Sequence, residues 1–122
     1  MGVIKTFRDL IVWQKAMDLV VKIYKVTNDF PDEEKYGLVS QLRRAGVSVT
    51  SNIAEGFGRN SNKTFIVFLN YSMGSLMEVE TQLEISKRIE FISDEVYNEL
   101  FEDCREVERL LSSLIRSVKA KL

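Results

Sequence analysis

The sequence predicts an all-α chain, an antiparallel up-down-up-down four-helix bundle that takes up residues 1–122 as a single domain. Three observations carry this. Apolar residues recur at helical spacing in four stretches, short clusters of helix-stopping residues separate those stretches, and no strand-like alternation competes with them. Apolar residues make up 45% of the chain and charged residues 29%, with one proline, which is the balance of a packed helical domain. A chain of 122 residues can bury roughly two thirds of the surface its unfolded form exposes.

Thr6 and Asp9 stand at capping-box spacing, and an apolar pattern through Leu10, Trp13, Met17, Val20 and Tyr24 carries helix one to about Thr27. Asn28, Asp29 and Phe30-Pro31-Asp32 make the break. Proline suits a first helical turn, and Asp32, Glu33 and Glu34 favour the positive end of the next helix dipole. Helix two then runs to about Glu55, with Leu38, Leu42, Ala45, Val49 and Ile53 on one face. Gly56 and Gly58 bracket its stop.

Ser61 is the expected N-cap of helix three. Phe65, Leu69, Ser72, Leu76, Val79, Leu83 and Ser86 follow the four-three alternation of left-handed helix packing. Ser93 caps helix four in the same way, and Leu100, Cys104, Val107, Leu111, Leu114 and Val118 continue the alternation. Short loops between helices require neighbours to run antiparallel.

Helical wheels distinguish the helices. Helix four has an ordinary apolar stripe and a wide polar face that includes Glu99, Arg105 and Arg109. Helix one carries Val12, Ala16, Leu19, Ile23 and Val26 outside the face assigned to the core, helix two adds Val39, Val47 and Ala54, and helix three adds Ile66, Val67, Met73 and Met77. A monomer can hide one stripe per helix, so this surplus predicts a self-association surface with Leu19, Ile23, Val47 and Met73 in the subunit interface. On that reading, glutamate at Ile23 splits an assembly.

Charge is nearly balanced at minus one, but unevenly placed. Residues 1–63 hold ten Lys/Arg against seven Asp/Glu, and residues 64–122 hold seven against eleven. The basic candidates for nucleic-acid contact are Arg43, Arg44, Arg59 and Lys63. Gln41, Arg44, Ser48, Asn52 and Glu55 form a polar row beside the core face of helix two. Two readings of that row stay open: a seam within the bundle or between subunits, and a binding surface.

The chain has no histidine, so it lacks the commonest general base and transition-metal ligand. Gly56-Phe57-Gly58 lacks the context of a phosphate loop, and no serine has a base at a recognisable spacing. No catalytic residue, cofactor, metal or small-molecule substrate is expected. Cys104 alone allows no intramolecular disulfide and reads as a buried reduced thiol. No run approaches the roughly 18 apolar residues of a membrane span, so a cytoplasmic location without membrane contact is expected.

Ser40-Gln41-Leu42-Arg43-Arg44-Ala45-Gly46-Val47-Ser48-Val49, continuing through Ser51-Asn52-Ile53-Ala54-Glu55-Gly56-Phe57-Gly58-Arg59, resembles the signature of the four-helix bundle family of 23S rRNA intervening-sequence proteins. Phe7-Arg8-Asp9-Leu10, Val12-Trp13-Gln14-Lys15-Ala16, Phe30-Pro31, Tyr36-Gly37-Leu38, Gly74-Ser75-Leu76, Glu78 and Glu80-Thr81-Gln82-Leu83 extend the match over nearly the whole chain. Gly46 departs from the family's usual alanine and Thr50 from its common proline. The resemblance implies a bacterial protein, since some members are encoded within an insertion in a large-subunit rRNA gene. It also implies kinship with the pentameric accessory subunit of diversity-generating retroelements, which contacts a reverse transcriptase and nucleic acid. The expected function is therefore a non-enzymatic homo-oligomer, with five subunits favoured, acting as an RNA or ribonucleoprotein adaptor. The alternative is a protein-only scaffold, or an accessory subunit for a partner such as a reverse transcriptase.

Overall fold

The computed structural model describes residues 3–122. Its first element forms where Thr6 and Asp9 reciprocally bond each other's backbone, closing a capping box around a 3-10 turn at Phe7–Asp9. Hydrogen bonds from the backbone N–H groups of Thr6 and Lys5 hold the Asp9 carboxyl below the usual carboxylate range. This box caps the short turn alone. Leu10 is extended, and α1 (Ile11–Thr27) begins after it.

A second 3-10 turn at Asp32–Glu34 follows Pro31, so α2 (Leu38–Phe57) starts later than its acidic run suggests. The Glu34 carboxylate caps it from outside, accepting the Leu38 N–H at 3.2 Å. Gly56 falls inside α2, and Gly58 ends it. α3 (Asn62–Arg88) and α4 (Asp94–Lys119) begin where expected: the Ser61 hydroxyl accepts from Thr64 N–H and the Ser93 hydroxyl from Val96 N–H. Glu90 takes a left-handed conformation at φ 66° after α3, and Phe91 N–H reaches back to Ser86 C=O at 2.8 Å.

Among the described residues the structure is a four-helix bundle without strands, in which each helix packs on its two chain neighbours and α1 closes against α4. α1 and α3 lie diagonally across from each other, as do α2 and α4. Phe30 and Phe91 meet edge to face at 5.3 Å, so the α1–α2 and α3–α4 loops cover one end together. Phe57 and Phe65 meet at 5.9 Å at the opposite end.

The core corrects the predicted orientation of α1. Val12, Ala16, Leu19 and Ile23 are buried together with the expected Leu10 and Val20, and Leu19 and Ile23 are each 1% exposed within a single chain. Met17 and Tyr24, expected in the core, are exposed. Leu19 and Ile23 therefore have no surface left to offer a second subunit. Across the seam Ile23 packs against Gly46 of α2, where an added Cβ would stand 3.2 Å from the Ile23 Cδ1 methyl. Met73 is half-buried against the core, and Val47 alone of the four interface candidates is well exposed.

Polar groups join the helices where small residues bring them together. Ser72 Oγ donates to Val49 C=O, and the Ser48 and Ser75 hydroxyls bond at 2.8 Å, which makes α2–α3 the closest seam. Asn52 Nδ2 donates to the backbone and hydroxyl oxygens of Ser48. Lys22 ties α1 to α4 through Asp103 at 2.8 Å and Glu99 at 3.3 Å, a contact that raises its pKa. Lys15 faces Glu106 at 3.8 Å. These exposed pairs contribute about 0–1 kcal/mol each, and their larger effect is to neutralise part of the first half's positive charge with the second half's carboxylates.

The α3–α4 seam holds a strained carboxylate. Glu80 Oε2 is buried without a hydrogen-bond partner. Burial, and then the neighbouring Glu108 carboxyl, push the Glu80 pKa from 4.5 to about 7, with Arg105 opposing the shift. Folding thus favours protonated Glu80. Its contribution to stability is whole below pH 4.5 and fades as pH rises through about 7. Urea midpoints should fall between about pH 5 and pH 8 in the wild type and hold level in Glu80→Gln. Parallel pH profiles would show that Glu80 ionises without consequence.

Candidate nucleic-acid interface

The four basic residues singled out in the sequence do not converge. Arg43 and Arg44 lie on the first turns of α2, whereas Arg59 follows its far end, about 20 Å along the axis at 1.5 Å per residue. Arg59 pairs with Glu55 at 3.5 Å and covers the Phe68 ring at 5.1 Å. Lys63, exposed on the first turn of α3, belongs to that same far end. A polar hollow of about 690 Å³ there takes in Arg59, Asn60, Asn62 and Lys121.

Arg43 and Arg44 differ as well, because successive residues sit about 100° apart on a helix. Arg43 turns toward α1. Its Nε donates to Thr27 Oγ1 at 3.0 Å, and its Nη2 donates to Tyr24 C=O at 3.3 Å and Asn28 Oδ1 at 3.1 Å. The Tyr24 C=O also accepts from Asn28 N–H at 3.3 Å and from Thr27 Oγ1 at 3.2 Å, so the guanidinium joins a carbonyl that already ends α1. It also lies 4.5 Å from the centre of the Tyr24 ring. Arg43 is thus a clasp between α1 and α2, and because every group it bonds is neutral its positive charge has no acidic partner there. Arg44 is exposed and enters no ion pair among the described residues.

Between the two helices the clasp borders a groove of about 640 Å³, lined by Tyr24, Lys35, Tyr36, Val39, Ser40, Arg43, Arg44, Val47 and Ser48. Three of these side chains are cationic and none is acidic. Tyr36 projects from the loop before α2 with 89% of its surface exposed, and Lys35 lies 5.6 Å from its ring. A smaller hollow of about 430 Å³ on the α3 side shares Tyr36, Ser40, Arg44 and Ser48, which places Arg44 on the ridge between the two.

The polar row of α2 divides accordingly. Ser48 bonds across the α2–α3 seam and Asn52 bonds Ser48, while Arg44 is left to solvent. Tyr24, Lys35 and Tyr36 were not singled out from the sequence as site residues. Tyr24 sat on the face wrongly assigned to the core, and the other two lie in a loop where periodicity says nothing.

Residues 8–113 match the family described as 23S rRNA-intervening sequence proteins. Among solved structures, a protein of unknown function from the S23 ribosomal protein family of Bacteroides thetaiotaomicron VPI-5482 is similar at 30% identity and a TM-score of 0.77. The alignment covers 86% of this chain and 98% of that one. No curated protein matches the sequence. No helix among the described residues is long and apolar enough to cross a membrane.

Proposed function

From the premise that the chain belongs to the 23S rRNA-intervening sequence protein family, we propose that it is a non-enzymatic, homo-oligomeric RNA or ribonucleoprotein adaptor. The observation that carries this reading is the α1–α2 groove, where Lys35, Arg43 and Arg44 gather with no carboxylate in the lining. Elsewhere in the first half, Lys15, Lys22 and Arg59 face acidic partners. Positive charge left unpaired in a concave site attracts a polyanion. Binding of large-subunit rRNA fragments should fall steeply with salt, because each phosphate contact releases counterions. Salt-independent association, or none at low salt, would favour the protein-only scaffold.

Self-association rests on part of the surplus read from the sequence, Val67 and Met77, and on exposed residues outside it. Val21 on α1, and Val67, Tyr71, Met77 and Ile85 on α3, remain exposed in the single chain. The two helices are diagonal, so their outer faces point in opposite directions. Surfaces that are not self-complementary associate head to tail and can close into rings. A ring of five gives a scattering mass about five times the 14.1 kDa of one chain. Val67→Glu combined with Ile85→Glu should reduce that mass while helicity holds, since neither side chain belongs to the core. A wild-type mass of one chain at micromolar concentration would remove this part of the proposal.

A further inference from the structure

We propose that the α1–α2 groove binds a single-stranded stretch of RNA, with unpaired bases stacked on Tyr36 and Tyr24 and phosphates held by Lys35 and Arg44. The inference rests on the adaptor reading above and narrows it to a class of RNA.

The aromatic rings decide between strand types. Tyr36 leaves 89% of its surface in water, and Tyr24, on the adjoining helix, is 42% exposed into the same groove. Flat rings beside cations, over an apolar floor that includes Val47, present surface to the face of a base rather than to its edge. In a duplex those faces are already stacked on one another, and the A-form major groove is too narrow for side chains to enter. A single strand can splay its bases onto the rings while its phosphates follow the cations.

The Tyr24 part of this platform is also held in place before any ligand arrives. One face of Tyr24 is covered by the Arg43 guanidinium at 4.5 Å, and three hydrogen bonds to the end of α1 fix that guanidinium. A base stacking on the open face of Tyr24 meets a ring already backed by a cation, so little side-chain freedom is lost on binding. The volume of about 640 Å³ lies within the roughly 300–1,000 Å³ of sites that enclose small ligands, room for splayed bases but not for a helix of RNA. An acidic peptide would satisfy the cations and leave the rings unmatched.

The test compares a fluorescein-labelled single strand of about 12 nucleotides with the same strand annealed to its complement, by anisotropy at fixed salt. The single strand should bind more tightly. Tyr36→Ala should weaken it about tenfold or more without changing the salt slope, and Tyr36→Phe should restore it. Arg44→Ala should lower the magnitude of the salt slope by roughly 0.7. Both side chains are exposed, so circular dichroism should show an unchanged fold. Equal binding of the two forms, or a silent Tyr36→Ala, overturns this inference while salt-dependent binding preserves the adaptor reading. No binding of either form at low salt overturns both. Competition by polyglutamate as strong as that by unlabelled single strand overturns the inference in favour of an acidic protein partner.

Discussion

Glutamate at Ile23 should unfold the bundle, not split an assembly of intact subunits. Ile23 is 1% exposed, packs into the shared core, and faces α2 where Gly46 permits close approach. Removing the isoleucine side chain alone costs about 2–5 kcal/mol. Adding a carboxylate that finds no partner raises the total further, past the 4–5 kcal/mol that marks an exceptional single substitution. Against a typical total stability of about 5–15 kcal/mol, a large share of the chain should lose its helical signal at 25 °C or precipitate. Circular dichroism and light scattering on the same sample decide the matter. Native helicity with an unchanged melting temperature and a smaller particle mass would return Ile23 to a subunit interface.

Alanine at Gly56 should be the more damaging of two superficially identical substitutions. A Cβ there would stand 2.6 Å from Phe68 Cβ and 3.0 Å from Phe65 Cδ1. Phe68 Cβ is attached directly to the α3 backbone, so relief requires the two helices to move apart along their closest seam. Overpacking of this kind costs about 1–3 kcal/mol, occasionally more, against a gain of up to about 1 kcal/mol from replacing a helical glycine. A net loss near 2 kcal/mol should lower the melting temperature by roughly 6–12 °C for a domain of this size. At Gly46 the obstacle is the Ile23 Cδ1 methyl at 3.2 Å, the free end of a side chain that can rotate away. Gly46→Ala should therefore stay within about 1 kcal/mol of the wild type, and equal melting temperatures for the two variants would mean that the α2–α3 spacing adjusts freely.

The same contrast explains what was legible in the sequence. Ser61 and Ser93 announce helix starts because an exposed hydroxyl three residues before an amide has one local task, and both perform it. The seam of α3 was legible too: Leu69, Ser72, Leu76, Val79 and Leu83 repeat strictly and are all buried. α1 has two apolar faces, one bulky through Trp13, Met17 and Tyr24 and one compact through Ala16, Leu19 and Ile23. Bulk suggested the first as the core. The choice depends on which face the other helices pack against, which no periodicity within α1 reports.

The functional surface was harder to read for a related reason. Arg43 and Arg44 are neighbours with the same chemistry, yet one closes the end of α1 and the other meets solvent. The helical turn between them sets the two apart, but what Arg43 meets on its side, the end of α1, is visible only in the fold. Arg59 and Lys63 carry charge of the same sign, but the length of α2 removes them from the groove.

Cys104 is wholly buried, and burial pushes its thiol far above the ordinary range, so almost no thiolate exists in the closed bundle. Among the described residues it is the one sulfhydryl, seated on α4 among the core leucines and valines. A thiol reagent can reach it only during an opening of the helices, which makes the chain carry its own clock. The ratio of its labelling rate to that of a free cysteine measures how often the core parts, without denaturant or an added probe. Because α4 packs on both α1 and α3, that one sulfur registers breathing at both seams, and a partner that clamps the bundle would slow the clock wherever it binds.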